Sequence, residues 1–189
     1  MDRAAAANAI DAFLKAIGRD AAKEPDLVGT GARVADAFID ELCSGYATDA
    51  RALVAKHAMD AGADASALVV VRDIPVVTTC PHHLLPAVGT ADVALAPKRK
   101  IVGIGAIGEL VDAHARRLTL QEHIGERVVD DLDAVLAPEW VACRILLSHG
   151  CMIARGSRPV GTKVETMALR RVDAVAVTTI LGGHGGHSS

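Results

Sequence analysis

Apolar positions recur at helical spacing near the N-terminus and alternate from about residue 67 onward, and this change of period divides the chain before any chemistry is considered. Residues 2 to 17 carry Ile10, Phe13, Leu14 and Ile17 on one stripe, which predicts an amphipathic helix stopping at Gly18. Val34, Phe38, Ile39 and Leu42 predict a second helix over 31 to 44, with Thr30 as its cap and Ser44 and Gly45 as its stop. A third, short helix fits 49 to 59.

The β pattern opens with LVVVRDI followed by PVVTTC, rich in Val and Thr. Pro75 cannot donate to a ladder and so marks an edge strand or a bulge. A second strand over roughly 87 to 96 sets Val88, Thr90, Asp92, Ala94 and Ala96 against Ala87, Gly89, Ala91, Val93 and Leu95. The two strands form a hairpin, and PKRK turns the chain back.

Helical periodicity returns over 106 to 118 and 121 to 137, the latter with Ile124, Val128, Leu132 and Val135 on one side and Pro138 at its end. Strands follow at 140 to 148 and 162 to 169, with further strand at 172 to 180. The expected organisation is a helical N-terminal arm over 1–66, a ββααββ unit over 67–181 and a flexible tail over 182–189 ending GGHGGHSS. This is an α+β fold, with helices on one face of an antiparallel sheet.

Composition narrows the function. Of 189 residues, 51% are apolar, enough for one sizeable core, yet only Phe13, Phe38, Tyr46 and Trp140 are aromatic. Base-stacking platforms are therefore not expected. Twenty Lys and Arg against 23 Asp and Glu leave a net charge of −3, so no global positive field holds nucleic acid or an anionic membrane. No apolar run reaches the ~20 residues of a membrane span. The N-terminal apolar stretch contains acids, unlike a signal peptide. A cytoplasmic protein is expected, in which four cysteines do not form structural bridges.

Two of those cysteines stand beside histidines. Cys80-Pro81-His82-His83 sits at one strand end and His149-Gly150-Cys151 at another, so two thiols and up to three imidazoles come together if those ends meet. Two thiolates and one neutral imidazole make a neutral zinc centre with its fourth position open to water. Such water has a pKa of about 7, and leftover histidines can move protons. Cys43 and Cys143 read as packing thiols, His57, His114 and His123 as solvated helix residues, and Lys98 to Lys100 as a solvated turn.

CPHHLLPAVGTADVALAPKRKIVGIG, RRLTLQEHI and SHGCMIARG, in that order, together with GTGARVADAFIDELCSGY upstream, resemble the catalytic region of GTP cyclohydrolase I over about residues 27 to 171. The resemblance implies the tunnelling fold, whose subunits assemble into toroidal homo-oligomers, decamers among them, with active sites between subunits. It makes Cys80, His83 and Cys151 the zinc ligands and His82 and His149 the proton-transfer residues. Glu122, with neighbouring Gln121, falls where a carboxylate receives guanine N–H groups. Arg33 and Arg155 match phosphate-contacting positions, and Lys163 lies near a further basic one.

The implied reaction is hydrolytic opening of the guanine imidazole ring at C8, release of formate, and closure of a dihydropterin triphosphate. Where family members carry Ser-Lys and then Arg to grip the triphosphate, this chain has Gly105, Ala106 and Glu109. Each charge-assisted bond so removed is worth about 1.5–3 kcal/mol. The alternative is the same ring opening on a guanine-like or other nitrogen heterocycle with fewer phosphates or none. A third reading keeps zinc for structure and makes the chain a purine- or pterin-binding module. Retention of His82 and His149 speaks against that.

Overall fold

The computed structural model describes residues 1–62, 67–155 and 161–182. The chain divides into two units, Met1–Ser44 and Gly45–Ser189. The predicted tail lies outside the described residues from 183 onward.

In the N-terminal unit, helix α1 (Arg3–Ala16) starts where the Asp2 side chain accepts a hydrogen bond from Ala5 N, which satisfies one otherwise unpaired first-turn donor. It ends before Gly18, whose φ of +79° suits a residue without a side chain. Helix α2 (Thr30–Asp36) continues into a wide-turn stretch, Ala37–Leu42, close to the predicted 31 to 44. The two helices meet at Gly31, where a Cβ would lie 2.4 Å from Asp11 Oδ1 and 2.5 Å from Ala7 O. Only glycine lets them approach so closely. Arg3 pairs with Asp36 and Asp40 across this packing.

The second unit holds α3 (Ala50–His57), then β1 (Ala58–Asp60), β2 (Val69–Thr79), β3 (Pro86–Ala96) and β4 (Lys100–Val102). Helices α4 (Ile104–Ala115) and α5 (Gln121–Leu136) follow, then β5 (Trp140–His149), α6 (Gly150–Ile153), β6 (Val164–Arg170) and α7 (Ala174–Leu181). Four strands form an antiparallel sheet in the order β2-β3-β5-β6, and β1 pairs separately with β4. Pro75 lies in the edge strand β2 opposite Thr90, just after a register break between Val71 and Ile74, so the missing donor disturbs no inner ladder.

Strand alternation sends two sets of side chains to opposite faces. Val93, Cys143, Ile145 and Leu147 join Leu110, Ile124, Val128 and Leu132 of α4 and α5 in the main core, at the period-2 and period-3.6 positions seen in the sequence. Ala94 and Ala142 face the other way, against Val177 and Leu181 of α7.

That last contact corrects one expectation: residues 174 to 181 are a helix, not a strand. Asp173 caps the helix by accepting from Ala176 N, and Thr178 and Thr179 return their hydroxyls to Ala174 O and Val175 O. Burial of Val177 and Leu181, four residues apart, outweighs the strand preference of the β-branched run. Among the described residues no helix is long and apolar enough to cross a membrane.

Candidate metal centre and its pocket

Sheet register brings the two sequence motifs to one place. Thr79 pairs with Pro86 and Ala87 pairs with His149, so the end of β2, the start of β3 and the end of β5 share one sheet end. Beyond β2 the chain turns tightly, with Cys80 N donating to Leu85 O and Leu84 N to Cys80 O. Leu84 takes a φ of +53° to close that turn. Beyond β5 the chain enters α6, and Gly150 passes so near β3 that a Cβ there would stand 2.7 Å from Pro86 O.

Cys80, His83 and Cys151 consequently offer two sulfurs and a ring nitrogen, all within 4.8 Å of one another. Cys80 Sγ lies 3.6 Å from His83 Nδ1. Zinc bonds of about 2.3 Å to sulfur and about 2.0–2.1 Å to nitrogen place tetrahedral ligand atoms roughly 3.5–3.8 Å apart. The donor set and spacing fit zinc with three protein ligands. Burial first, then the adjacent Cys80 sulfur, pushes the Cys151 thiol above its ordinary value, and Arg155 acts the other way. A cation between the sulfurs opposes the first two effects and favours thiolates.

A cavity of about 260 Å³ opens beside the three residues and is lined by His82, His149, Gln121 and Glu122 among others. The start of α5 reaches it because Thr119 N donates to Thr79 O at the end of β2. Glu122 is exposed at the cavity, and its carboxylate has no hydrogen-bond partner among the described residues. His82 is exposed and meets the His83 ring edge-on, 6.1 Å between centroids.

Gln121 is different: it is buried, its Nε2 donates to Ile145 O at 3.0 Å and Val164 O at 2.9 Å, and its Oε1 lies 2.8 Å from His149 Nε2. Both amide hydrogens are spent inside the protein. The side chain ties α5 to β5, β6 and His149 rather than offering hydrogens to a substrate.

The candidate basic residues belong to both units. Arg155 stands at the centre, its Nη2 2.6 Å from His83 Nε2 and its Nε donating to Cys151 O. Lys163 is exposed one residue before Val164, which lines the cavity. Arg33 belongs to the N-terminal unit and donates to Val28 O, Asp26 O and Thr30 Oγ1 of its own loop. On α4, Gly105 and Glu109 are exposed while Ala106 is buried, so the first turns of that helix present no cation.

His57 and His123 are exposed as expected, but His114 is buried, with Nε2 2.8 Å from Asp131 Oδ2. Asp131 in turn accepts from Arg51 Nε at 3.0 Å. Helical spacing from Leu110 and Val111 places His114 on the inward face of α4, so it is a core residue and not the solvated one expected. Cys143 is a core thiol, pushed up to about 12 by burial and then by Asp92. Thr78, Thr119 and Met152 also line the cavity; Thr119 and Met152 fall within RRLTLQEHI and SHGCMIARG, but none of the three carries a charge that singles it out.

The family model described as GTP cyclohydrolase I matches residues 6–174. The protein named GTP cyclohydrolase 1 of Leptospira biflexa is 38% identical over 162 residues, 86% of each chain. That of Leifsonia xyli is 35% identical over 169 residues, covering 89% of this chain and 87% of the relative. That of Caldanaerobacter subterraneus is 34% identical over 173 residues, 91% and 89% of the two chains. Among solved structures, an archaeosine synthase QueF-Like in its apo form aligns with a TM-score of 0.45 at 18% identity, over 56% of this chain and 95% of that one.

Proposed function

The chain belongs to the GTP cyclohydrolase I family, and from that premise we propose that it opens the imidazole ring of a guanine nucleotide by hydrolysis at C8. The observation that carries the proposal is the convergence of Cys80, His83 and Cys151 with two further histidines and a free carboxylate around one cavity. A structural zinc site has no use for the last three groups.

The Cys80, His83 and Cys151 cluster matches the family's zinc site. Cys80, His83 and Cys151 would hold zinc there, and the metal would supply hydroxide at neutral pH by acidifying water to a pKa of about 7. The chain's own side chains do the rest. Glu122 accepts two N–H bonds from the guanine edge and so fixes the orientation of the purine. His149 and His82 take the proton lost as water adds to C8. They return one to the ring nitrogen whose bond to C8 breaks. Addition of a second water to the resulting formamide releases C8 as formate.

Gly105, Ala106 and Glu109 leave α4 without a cation, and Ala106 is buried, which favours a substrate with fewer phosphates as the second reading. Within the second unit Arg155 and Lys163 remain to hold an anion. Formate release from GTP, GMP, guanosine and guanine, measured in parallel, tests both. GTP turnover well above that of guanosine supports the triphosphate, and equal turnover refutes it.

We also assign the chain to a ring-shaped homo-oligomer, with the decamer as the size to test. Support comes from β2 and β6, whose outer edges pair with no other strand among the described residues; open edges of this kind invite pairing with another copy. A native mass of one chain would refute the assignment.

A further inference from the structure

We infer that Gln121 is a positioning residue for His149: its buried amide fixes the imidazole with hydrogen on Nε2 and leaves Nδ1 as the bare, proton-accepting nitrogen. The inference rests on the reading of His149 as a proton-transfer group and names the residue that prepares it.

An amide offers two hydrogens at nitrogen and only lone pairs at oxygen. Gln121 Nε2 lies 3.0 Å from Ile145 O, 2.9 Å from Val164 O and 3.2 Å from Thr166 Oγ1. Both backbone oxygens can only accept, so the nitrogen end of the amide must face them. A flipped amide would set oxygen against two carbonyl oxygens in a site where Gln121 is 3% exposed. With the flip excluded, Oε1 faces His149 Nε2 at 2.8 Å, and that nitrogen must supply the hydrogen. Which ring nitrogen carries the hydrogen is set by the bond the other partner demands.

The fold explains why the amide stays put. Ile145 belongs to β5 and Val164 to β6, neighbouring strands whose last paired residues are Leu147 and Val164. Gln121, first residue of α5, donates into the place where these strands part. Three elements clamp the amide, and the amide holds the ring.

Ring-nitrogen ¹⁵N spectra of the zinc-loaded protein, with His149 assigned by its loss in His149→Asn, read the tautomer directly. Hydrogen on Nε2 with Nδ1 bare supports the inference, and hydrogen on Nδ1 overturns it. Gln121→Met removes the acceptor and should scramble the tautomer and lower kcat about 10- to 100-fold, the range found for residues that orient active groups, while KM and zinc content hold. An unchanged kcat overturns the inference. Gln121→Glu keeps an oxygen toward His149 but sets another against two carbonyls, so it should lower the melting temperature yet retain the tautomer. A tautomer lost equally in Gln121→Glu and Gln121→Met would overturn it. Should the wild-type chain release no formate from any purine and still show hydrogen on Nε2, the reaction reading falls and the positioning role stands.

Discussion

Replacing Gly150 by alanine tests how closely the metal centre depends on strand register. The backbone at this position does not need a left-handed φ, so the perturbation is purely one of space. The new methyl would lie 2.7 Å from Pro86 O, 3.6 Å from Pro86 Cδ and 3.7 Å from Leu85 Cβ. Ordinary carbon–oxygen contact begins at roughly 3.2 Å, so β3 and α6 must separate by about half an ångström. Such overpacking costs about 1–3 kcal/mol. Cys151 is the next residue and moves with α6, whereas Cys80 stays with β2. A shift of that size exceeds the ~0.2 Å tolerance of zinc–ligand distances. If about 1.4 kcal/mol of the strain falls on the metal, zinc binds tenfold more weakly. Competition with a chromogenic chelator reads the affinity, and thermal melting of the metal-free protein reads the fold. Gly108→Ala is the control: it lies within α4 with open space around it, and should leave zinc affinity unchanged while stabilising the helix by about 0.5–1 kcal/mol. Equal zinc affinity in Gly150→Ala and wild type would refute the reasoning.

Glu122→Gln should reduce kcat/KM for the guanine substrate about ten- to hundredfold, the equivalent of about 1.5–3 kcal/mol for a lost charge-assisted contact, with zinc content and melting temperature unchanged. Burial first, and then the nearby arginines against the opposing pull of Asp131, holds the His114 pKa below its ordinary value. The folded state therefore binds fewer protons than the unfolded one, and stability falls as pH drops below about 6.5, continuing until His114 protonates in the folded state. Urea unfolding at pH 8 and pH 5.5 should show that loss, and His114→Gln should diminish it. Asp173→Ala removes the cap of α7 and should cost about 1 kcal/mol, seen as a melting temperature lower by about 2–4 °C.

The amphipathic stripes and Val-rich runs made α4, α5 and the four main strands legible, because each of these buries one face and the burial writes its period into the sequence, whereas α1 forms as expected although none of its residues is buried and Phe13 is exposed. Ile124, Val128 and Leu132, predicted on one side of α5, are all fully buried. The 172 to 180 segment misled because β-branched residues occur in helices whenever packing rewards them, and the Asp173 cap counted for more than the Val and Thr that followed. The β1–β4 pair escaped because two three-residue strands carry no period. Cys80, His83 and Cys151 could be named from motif and resemblance. That they meet depends on the Thr79–Pro86 and Ala87–His149 pairings, which are properties of register and not of either motif. Gln121 and Glu122 both line the cavity, but first place on α5 buries the Gln121 side chain against β5 and β6 while Glu122 faces out, a difference that adjacency in sequence does not carry.

Formate released from GTP by the zinc-loaded protein, followed over many turnovers beside a Cys151→Ala variant, tests the account most directly. The account predicts stoichiometric formate from the wild type and none above background from the variant. Bound zinc with no formate from GTP, GMP, guanosine or guanine would contradict it.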